Sequence, residues 1–274
     1  MSESIKDYPA TKWRAGAIAS EGDHLVVEEP LEIRLAGRHF TLTMRTPGHD
    51  EELVSGFLLA EGFVAGPTEI HEIRRLRGPK GELEPNIVDV ILNVKSRELS
   101  DRLKRNFIVS SSCGVCGKTS IEALERRITK LEGNLHIASA TILRLPALMS
   151  DAQPIFAATG GLHAAALFDV SAPEIAQLIV LREDVGRHNA VDKVIGHALS
   201  RDRLPLVNCA LMVSGRLSFE IVQKAAAASI AILCAVSAPS SLAVELADEL
   251  GITLVGFLRG TAFNAYTHNE RILM

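Results

Sequence analysis

The chain has 274 residues, 47% of them hydrophobic and 23% charged, and a formal net charge of −4 at pH 7. This balance predicts a globular protein with a substantial core, and it argues against general nucleic-acid binding. No apolar run reaches the roughly 20 residues of a membrane span. Since the sequence has only four cysteines and an N-terminus without a signal-peptide pattern, we expect a cytoplasmic protein.

The first part of the chain predicts a tail followed by a small α+β domain. Residues 1–24 are polar and interrupted by Gly and Ser, and we expect a loose N-terminal tail there. Alternating apolar residues on either side of Gly37 indicate a β-hairpin, and Ile87–Val94 is typical of a strand. We therefore place a small α+β domain at residues 25–110.

A helix is predicted between the hairpin and that strand. Acidic residues crowd its first turn from Asp50 onward, apolar residues share one face, and Gly62 ends it. Arg45 and His49 precede the helix. Packing of the helix on the hairpin accounts for most of this segment, and a place for the two side chains in a binding site is the alternative.

Two cysteines lie in the loop SSSCGVCGK, which joins the two halves of the chain at residues 111–119. Ser and Gly predict a flexible, accessible loop around Cys113 and Cys116. A helical pattern follows, and both its N-terminal dipole and the nearby Lys118 favour thiolate over thiol. A thiolate is the form that attacks sulfur or binds metal.

A single Cys-x-x-Cys pair has three interpretations: half of a zinc site, a redox disulfide, or a nucleophile that carries sulfur. Structural zinc needs four ligands, usually with a second Cys/His pair at short spacing. Cys209 and Cys234 instead lie singly in apolar runs, where we expect buried core thiols. The residues favour sulfur transfer and predict no zinc.

The second half, residues 120–274, predicts a larger α/β domain. Apolar strands alternate with amphipathic helices, which is typical of a largely parallel sheet covered on both faces. The expected helices are Ile121–Leu131, Thr141–Ala152, Asn189–Ser200, Leu217–Ser229 and Ser240–Leu250. The expected strands are His163–Val170, Gln177–Leu181, Leu206–Val213, Ile230–Val236 and Ile252–Phe257.

Polar loops follow the expected strands of this domain. Three of the four loops after the strands carry Arg, and all contain Gly, Ser or Thr. Guanidinium groups and helix N-termini at the carboxyl ends of strands make good phosphate receptors, so we expect a phosphate-bearing ligand there. Ser214, Arg216 and His188 are candidate contacts, and ordinary helix capping is the alternative, for His188 in particular.

Seven segments of the sequence resemble the FdhD/NarQ family of accessory sulfurtransferases for formate dehydrogenase. In chain order they are RTPGHDEELVSGFLLAEGF, SSSCGVCGK, TGGLHAAALF, REDVGRHNAVDKVIG, SGRLSFEIVQKA, VSAPSSLAVELA and LVGFLRGTAFNAYT. The resemblance runs from about residue 25 to 270. It implies that the larger domain is similar to the three-layer cytidine deaminase fold, joined to the smaller domain at the Cys-x-x-Cys loop, and that the protein forms a homodimer.

The resemblance also implies a function. Family members accept persulfide sulfur from a cysteine desulfurase and pass it to the bis-molybdopterin guanine dinucleotide form of the molybdenum cofactor, before insertion into the formate dehydrogenase catalytic subunit. Cys113 matches the persulfide carrier, and Cys116 its partner. GDP is expected to mimic part of the cofactor. The segment that matches the family's cofactor-binding stretch consists of Phe257, Leu258, Arg259, Gly260, Thr261 and Ala262.

The implied fold raises zinc-dependent deamination as a rival function. Zinc deaminases need a His-x-Glu pair followed by Pro-Cys-x-x-Cys. Here Ala165 stands where the Glu is required, and no Cys-x-x-Cys follows His163. Deamination is therefore excluded, and His163 is either a ligand contact or, as we favour, a core histidine with its hydrogen bonds satisfied.

Two alternatives to sulfur transfer remain at this point. One is a chaperone that binds and delivers the molybdenum cofactor without sulfur chemistry. The other is a redox sensor built on the Cys-x-x-Cys pair. Loading of a persulfide separates sulfur transfer from both.

Overall fold

The structure is a computed structural model that describes residues 4–93 and 130–274. The strands are β1 Ile5–Arg14, β2 Ala17–Val26, β3 Glu29–Leu35, β4 Arg38–Arg45, β5 Ile70–Arg77, β6 Leu83–Leu92, β7 Ile137–Ala138, β8 His163–Asp169, β9 Gln177–Asp184, β10 Cys209–Val213, β11 Ile232–Ala235, β12 Thr253–Arg259, β13 Ala262–Thr267 and β14 Ile272–Leu273. The α-helices are α1 Asp50–Ala60, α2 Ser139–Asp151, α3 Pro154–Thr159, α4 Arg187–Leu199, α5 Phe219–Ala227 and α6 Ser241–Leu250. The predicted helix at Ile121–Leu131 and the Cys-x-x-Cys loop at 111–119 lie largely or wholly outside the described residues.

The N-terminal segment is a β-hairpin, so the prediction of a loose tail over residues 1–24 is wrong. Strands β1 and β2 pair antiparallel from Ile5 opposite Val26 to Arg14 opposite Ala17. Ala15 and Gly16 both adopt positive φ, which gives the tight turn whose twist suits a hairpin. Most side chains of both strands are exposed, so no apolar face marked the segment in the sequence.

The small α+β unit contains a four-stranded sheet of order β4-β3-β6-β5, with helix α1 packed against it. Strands β3 and β4 form the predicted hairpin, and β3 pairs parallel with β6. Leu31 and Ile33 of β3 are buried together with Leu53 and Leu58 of α1. The prediction that this helix packs on the hairpin is confirmed.

The larger unit is built on a six-stranded sheet of order β13-β12-β11-β10-β8-β9. Strands β10, β11 and β12 are parallel, whereas β8, β9 and β13 pair antiparallel with their neighbours. The prediction of a largely parallel sheet is therefore wrong, and the sheet is mixed. The error has a physical cause: strands buried on both faces are apolar throughout, whichever way they run, and here β8 and β9 form a hairpin rather than a crossover.

Both faces of the six-stranded sheet are buried, as predicted. Alternate residues of β8 face opposite ways: Leu167 packs in one core with helices α4, α5 and α6, and Phe168 packs in a second core with helix α2. Strand β14 pairs with β7 beside this second core. The helices of the larger unit thus enclose the sheet in three layers.

The small and large units share a core, which the sequence did not predict. One hydrophobic cluster contains Leu31 and Leu58 of the small unit and Val191 and Val194 of helix α4. No helix within the described ranges is long and apolar enough to cross a bilayer.

Helices α1 and α4 pack closely because each has a glycine at the crossing. An added Cβ at Gly56 would overlap the carbonyl oxygen of Asp192, and one at Gly196 would overlap the carbonyl oxygen of Glu52. Any larger side chain would force the helices apart. This crossing fixes the small unit on the helical face of the larger one.

Candidate functional site

The loops predicted to hold a ligand do meet at one edge of the six-stranded sheet. Strand β8 runs antiparallel to both β9 and β10, so β9 through β12 end on the same side. His163, the first residue of β8, lies opposite Asp184, the last residue of β9. The edge therefore combines the start of β8 with the ends of its neighbours.

Hydrogen bonds join the loops on this edge one to the next. The backbone N–H of Ala164 donates to the Ser214 hydroxyl at 2.9 Å. The N–H of Leu217 donates to the Ala238 carbonyl at 3.1 Å, and that of Phe257 donates to the Ser237 carbonyl at 3.1 Å. These bonds join the start of β8, the loops after β10 and β11, and the end of β12 into one continuous rim along the sheet.

A cavity of about 440 Å³ opens at the β8 end of this rim. Its lining residues are Gln153, Phe156, Gly160, Gly161, Leu162, His163, Val185 and Ser214. His163 is half-buried in its wall, and its imidazole forms no hydrogen bond with the other described residues. The interpretation of His163 as a satisfied core histidine is therefore wrong. Burial, and then the neighbouring Arg187 charge, lower the pKa of His163, which favours the neutral imidazole.

The segment expected to contact the cofactor forms the hairpin between β12 and β13. Arg259 pairs with Ala262, so Gly260 and Thr261 are the two turn residues. Gly260 has a φ of 59°, a conformation that glycine adopts without steric cost. Arg259, Gly260, Thr261 and Ala262 are all exposed at the surface.

Phe257 and Leu258 lie just before that turn and differ in their surroundings. Leu258 is completely buried in the second core, so its side chain is not available to a ligand. Phe257 has a positive φ of 52° at an irregularity in the β12–β13 pairing. The Arg259 guanidinium lies 5.7 Å from the centre of the Phe257 ring, within cation–π range. Leu258 thus anchors a turn that carries a partly buried aromatic ring and an exposed guanidinium group.

The remaining predicted residues divide between two places. Ser214 lines the cavity beside His163, and Arg216 is exposed two residues later in the same loop. His188 is not in this group. Its Nε2 lies 3.0 Å from Glu220 Oε2, and it lines a second cavity of about 230 Å³ between helix α4 and the small unit.

Sequence reasoning missed the residues that hold the loop after β9. The Asp184 carboxylate accepts hydrogen bonds from Gly186 N, Asn189 Nδ2 and Thr46 N, and its Oδ2 lies 2.7 Å from Lys193 Nζ. Thr46 belongs to the small unit, which therefore positions the rim. A usable signal existed, because Lys193 interrupts the apolar face of helix α4 and so indicates a buried charge pair.

Arg45 stabilises the small unit and does not line a site. Its guanidinium is 1% exposed and binds both Asp50 carboxylate oxygens, at 2.9 and 3.1 Å. Asn86 accepts a further hydrogen bond at 2.9 Å. Of the two alternatives for Arg45, the structure selects packing. His49 remains more than half exposed, next to Glu52.

The cysteines described by the structure are buried, as predicted. Burial raises the pKa of Cys209 to about 11 and that of Cys234 to about 12. Cys113 and Cys116 lie outside the described residues. Within residues 4–93 and 130–274, no three His, Cys, Asp or Glu side chains are grouped in a way that could hold a metal ion.

The family model for the FdhD/NarQ family matches residues 26–273. A protein of Mycolicibacterium paratuberculosis named sulfur carrier protein FdhD is 49% identical over 96% of both chains. A protein of the same name from Saccharolobus solfataricus is 41% identical over 99% of this chain and 100% of that one.

A solved structure is also similar over nearly the whole chain. It is described as a formate dehydrogenase accessory protein from Desulfotalea psychrophila, with a TM-score of 0.74 and 27% identity. The match covers 98% of this chain and 99% of that one. With the rim, the buried thiols and the shared core all within the matched range, the chain belongs to the FdhD/NarQ family.

Proposed function

We propose that this protein is a sulfur carrier that moves persulfide sulfur from a cysteine desulfurase to the molybdenum cofactor of formate dehydrogenase. The observation that carries the proposal is the match to proteins named sulfur carrier protein FdhD over 96% of the chain. The sequence supplies the required nucleophile in the pair Cys113 and Cys116. The substrate is the bis-molybdopterin guanine dinucleotide form of the cofactor, before its insertion into the catalytic subunit.

Loading of the carrier is a thiol–persulfide exchange. The Cys113 thiolate attacks the outer sulfur of the desulfurase persulfide, the sulfur–sulfur bond of that persulfide breaks, and the desulfurase cysteine leaves as a thiolate. The outer sulfur is then the terminal sulfur of a Cys113 persulfide. The exchange needs Cys113 ionised, which Lys118 and the following helical segment favour.

Delivery uses the second cysteine. The Cys116 thiolate attacks the inner sulfur of the Cys113 persulfide, releases the terminal sulfur as hydrosulfide toward the cofactor, and leaves a Cys113–Cys116 disulfide. A cellular dithiol reductant then restores both thiols. No zinc takes part in these steps.

The rim of the six-stranded sheet suits a long anionic ligand. Strands β8 and β12 are three strand spacings apart, which is about 14 Å at about 4.8 Å per spacing. A ligand much shorter than this distance cannot contact both the His163 cavity and the Arg259 turn, whereas a dinucleotide cofactor is long enough to do so. The exposed guanidinium of Arg259 and the aromatic ring of Phe257 are suited to a phosphate and a guanine base.

The mixed sheet is also consistent with a cytidine-deaminase-like fold for the larger unit, without its chemistry. Ala165, where a deaminase needs its general acid and base, is completely buried in the core, and Ser214 and Gly215 occupy the end of β10. We place this carrier in the cytoplasm as a homodimer, with the desulfurase and the formate dehydrogenase catalytic subunit as its partners.

Mass spectrometry of the intact protein tests the proposal. After incubation with a desulfurase and cysteine, the wild-type protein should gain the mass of one sulfur atom, and a reductant should remove it. Cys113→Ala should not gain it, whereas Cys209→Ala, which removes a buried thiol, should load like the wild type. Loading on Cys116 in the Cys113→Ala variant, together with normal formate dehydrogenase activity in cells, would reassign the carrier.

The same measurement decides against the rival function. If no cysteine loads under any condition while the protein still binds GDP, the cofactor chaperone without sulfur transfer replaces the carrier. Loading in the wild type excludes both the chaperone and the redox sensor.

A further inference from the structure

Arg187 has an unsatisfied hydrogen-bond donor close to His163 of the cavity wall. Its Nε atom is buried and has no hydrogen-bond partner among the described residues. Its guanidinium also forms no ion pair with any carboxylate in residues 4–93 and 130–274. A buried guanidinium N–H without a partner is unfavourable by the full desolvation cost of the group, so it marks a place where a ligand can supply the partner.

The Arg187 side chain lies close to Gly215, which has no side chain of its own. The space above Gly215, where a Cβ would stand, lies 3.4 Å from Arg187 Cδ and 3.5 Å from His163 Nδ1. Arg187 is the first residue of the 13-residue helix α4, whose N-cap residue Gly186 offers no side-chain cap. Arg187 and His163 thus approach the same glycine, which directly follows the cavity-lining residue Ser214.

Asp184, three residues before Arg187 in the chain, forms no ion pair with it, and other groups already occupy both of its carboxylate oxygens. Asp184 Oδ1 accepts from Gly186 N and Asn189 Nδ2, at 2.8 and 3.0 Å. Its Oδ2 accepts from Thr46 N and pairs with Lys193. Asp184 therefore pairs with Lys193 and not with Arg187.

The other groups on this wall can donate hydrogen bonds. Ser214 Oγ accepts from Ala164 N, which leaves the hydroxyl proton available. A neutral His163 imidazole retains one N–H donor. Gly160 and Gly161 have no side chains, so the backbone on the opposite side of the cavity remains accessible. No carboxylate belongs to the lining residues of the cavity.

We propose that Arg187, His163 and Ser214 form a subsite for a phosphoryl or diphosphate group at the mouth of this cavity. The guanidinium fork would bind two oxygen atoms of the group, and His163 and Ser214 would donate to the others. The inference rests on the proposed function in that the phosphate would belong to the dinucleotide cofactor. It names a second contact point, about 14 Å along the rim from the Arg259 turn, estimated from three strand spacings.

Isothermal titration calorimetry with sodium pyrophosphate, GDP and guanosine tests the subsite. Pyrophosphate and GDP should bind the wild-type protein, and guanosine, which lacks phosphate, should bind much more weakly. Arg187→Gln should weaken binding of pyrophosphate at least roughly tenfold, as expected for loss of a charge-assisted contact. Arg144→Gln removes an equal charge from an exposed position on helix α2 and should leave the pyrophosphate affinity unchanged.

Two results would overturn the subsite: equal affinities for Arg187→Gln and Arg144→Gln, or no binding of either phosphate compound to the wild type. If Arg187→Gln does not fold, modification of wild-type arginines with phenylglyoxal replaces it. Pyrophosphate should then protect Arg187 but not Arg144, and equal modification of Arg187 with and without pyrophosphate would contradict the proposal. Persulfide loading of Cys113 in the same preparations shows whether the sulfur-carrier function stands independently of the subsite.

Discussion

Lys193 Nζ lies 2.7 Å from Asp184 Oδ2, and both side chains are at most 1% exposed. The same ammonium group donates to the carbonyl oxygen of Thr46 at 2.9 Å. Thr46 in turn donates its backbone N–H to Asp184. One buried ion pair therefore joins the rim of the larger unit to the segment that precedes helix α1 in the smaller one.

Lys193→Met should destabilise the protein by about 3–5 kcal/mol, because it leaves the Asp184 carboxylate buried without its cation. Chemical denaturation measures this difference in the free energy of unfolding. Lys12→Met is the matched control, since Lys12 pairs with Asp23 at 3.2 Å on the exposed hairpin and should contribute about 0–1 kcal/mol. Equal losses in the two variants would show that burial of the Lys193 pair has no special weight.

Gly196→Ala should be destabilising even though alanine is the better helix former. Its Cβ would overlap the Glu52 carbonyl oxygen of helix α1, and overpacking of this kind typically costs about 1–3 kcal/mol. Gly22→Ala is the control, because an added Cβ there meets nothing within 4 Å. A stabilised Gly196→Ala variant in thermal unfolding would contradict the close contact between the two helices.

Arg259→Ala should weaken GDP binding by about 1.5–3 kcal/mol, or roughly 10- to 150-fold, through loss of a charge-assisted contact to phosphate. The fold should not change, since Arg259 is exposed and contacts the ring of Phe257. Calorimetric titration with GDP measures the effect, with Arg144→Ala as the charge-matched control. Unchanged affinity would remove Arg259 from the site.

Cys209 and Cys234 should resist alkylation in the native protein. Burial raises their pKa values to about 11 and about 12, so at pH 8 roughly one molecule in a thousand or fewer carries either thiolate. Iodoacetamide followed by peptide mass spectrometry should label Cys113 and Cys116 first, and all four cysteines after denaturation.

The same two thiols predict a change of stability at alkaline pH. An unfolded thiol ionises near pH 8.5 while the native thiols remain protonated, so the unfolded state loses protons first. Stability is therefore retained below about pH 8.5 and falls as the pH rises toward 11 to 12. In the labelling experiment, rapid reaction of Cys234 with iodoacetamide in the native protein at pH 8 would contradict its burial.

Protein purified under reducing conditions should contain no stoichiometric zinc, because the sequence offers a single Cys-x-x-Cys pair and structural zinc requires four ligands. Elemental analysis measures the metal content. One tightly held zinc per chain that disappears when Cys113 and Cys116 are both replaced would overturn the sulfur-carrier interpretation.

The sequence predicted the elements that bury apolar residues with a regular period. Helices α1, α2, α4, α5 and α6 and strands β8 to β12 lie within a few residues of their expected positions. The direction of the strands could not be predicted, because Ala164 to Phe168 of β8 are buried on both faces and would read the same in a parallel strand.

The pairing of the first two strands could not be predicted from the sequence either. The hairpin of β1 and β2 has no apolar face, and its strands are joined by backbone pairing and by surface contacts such as Lys12 with Asp23. The predicted loops do meet at one edge of the sheet, because strand ends follow from strand positions. Which side chains line a cavity could not be predicted: His188 lines the second cavity, and the sequence did not single out Gln153 or Phe156 for the first.

The core that the small and large units share makes the chain one cooperative structure on both sides of its cysteine segment. Leu92, near the end of β6, and Leu131 both pack against this common core, and Leu131 N donates to the Leu250 carbonyl at 2.8 Å. A single proteolytic cut between residues 93 and 130 would therefore leave two polypeptides that remain associated. The chemistry proposed at Cys113 therefore does not require the fold on either side to come apart.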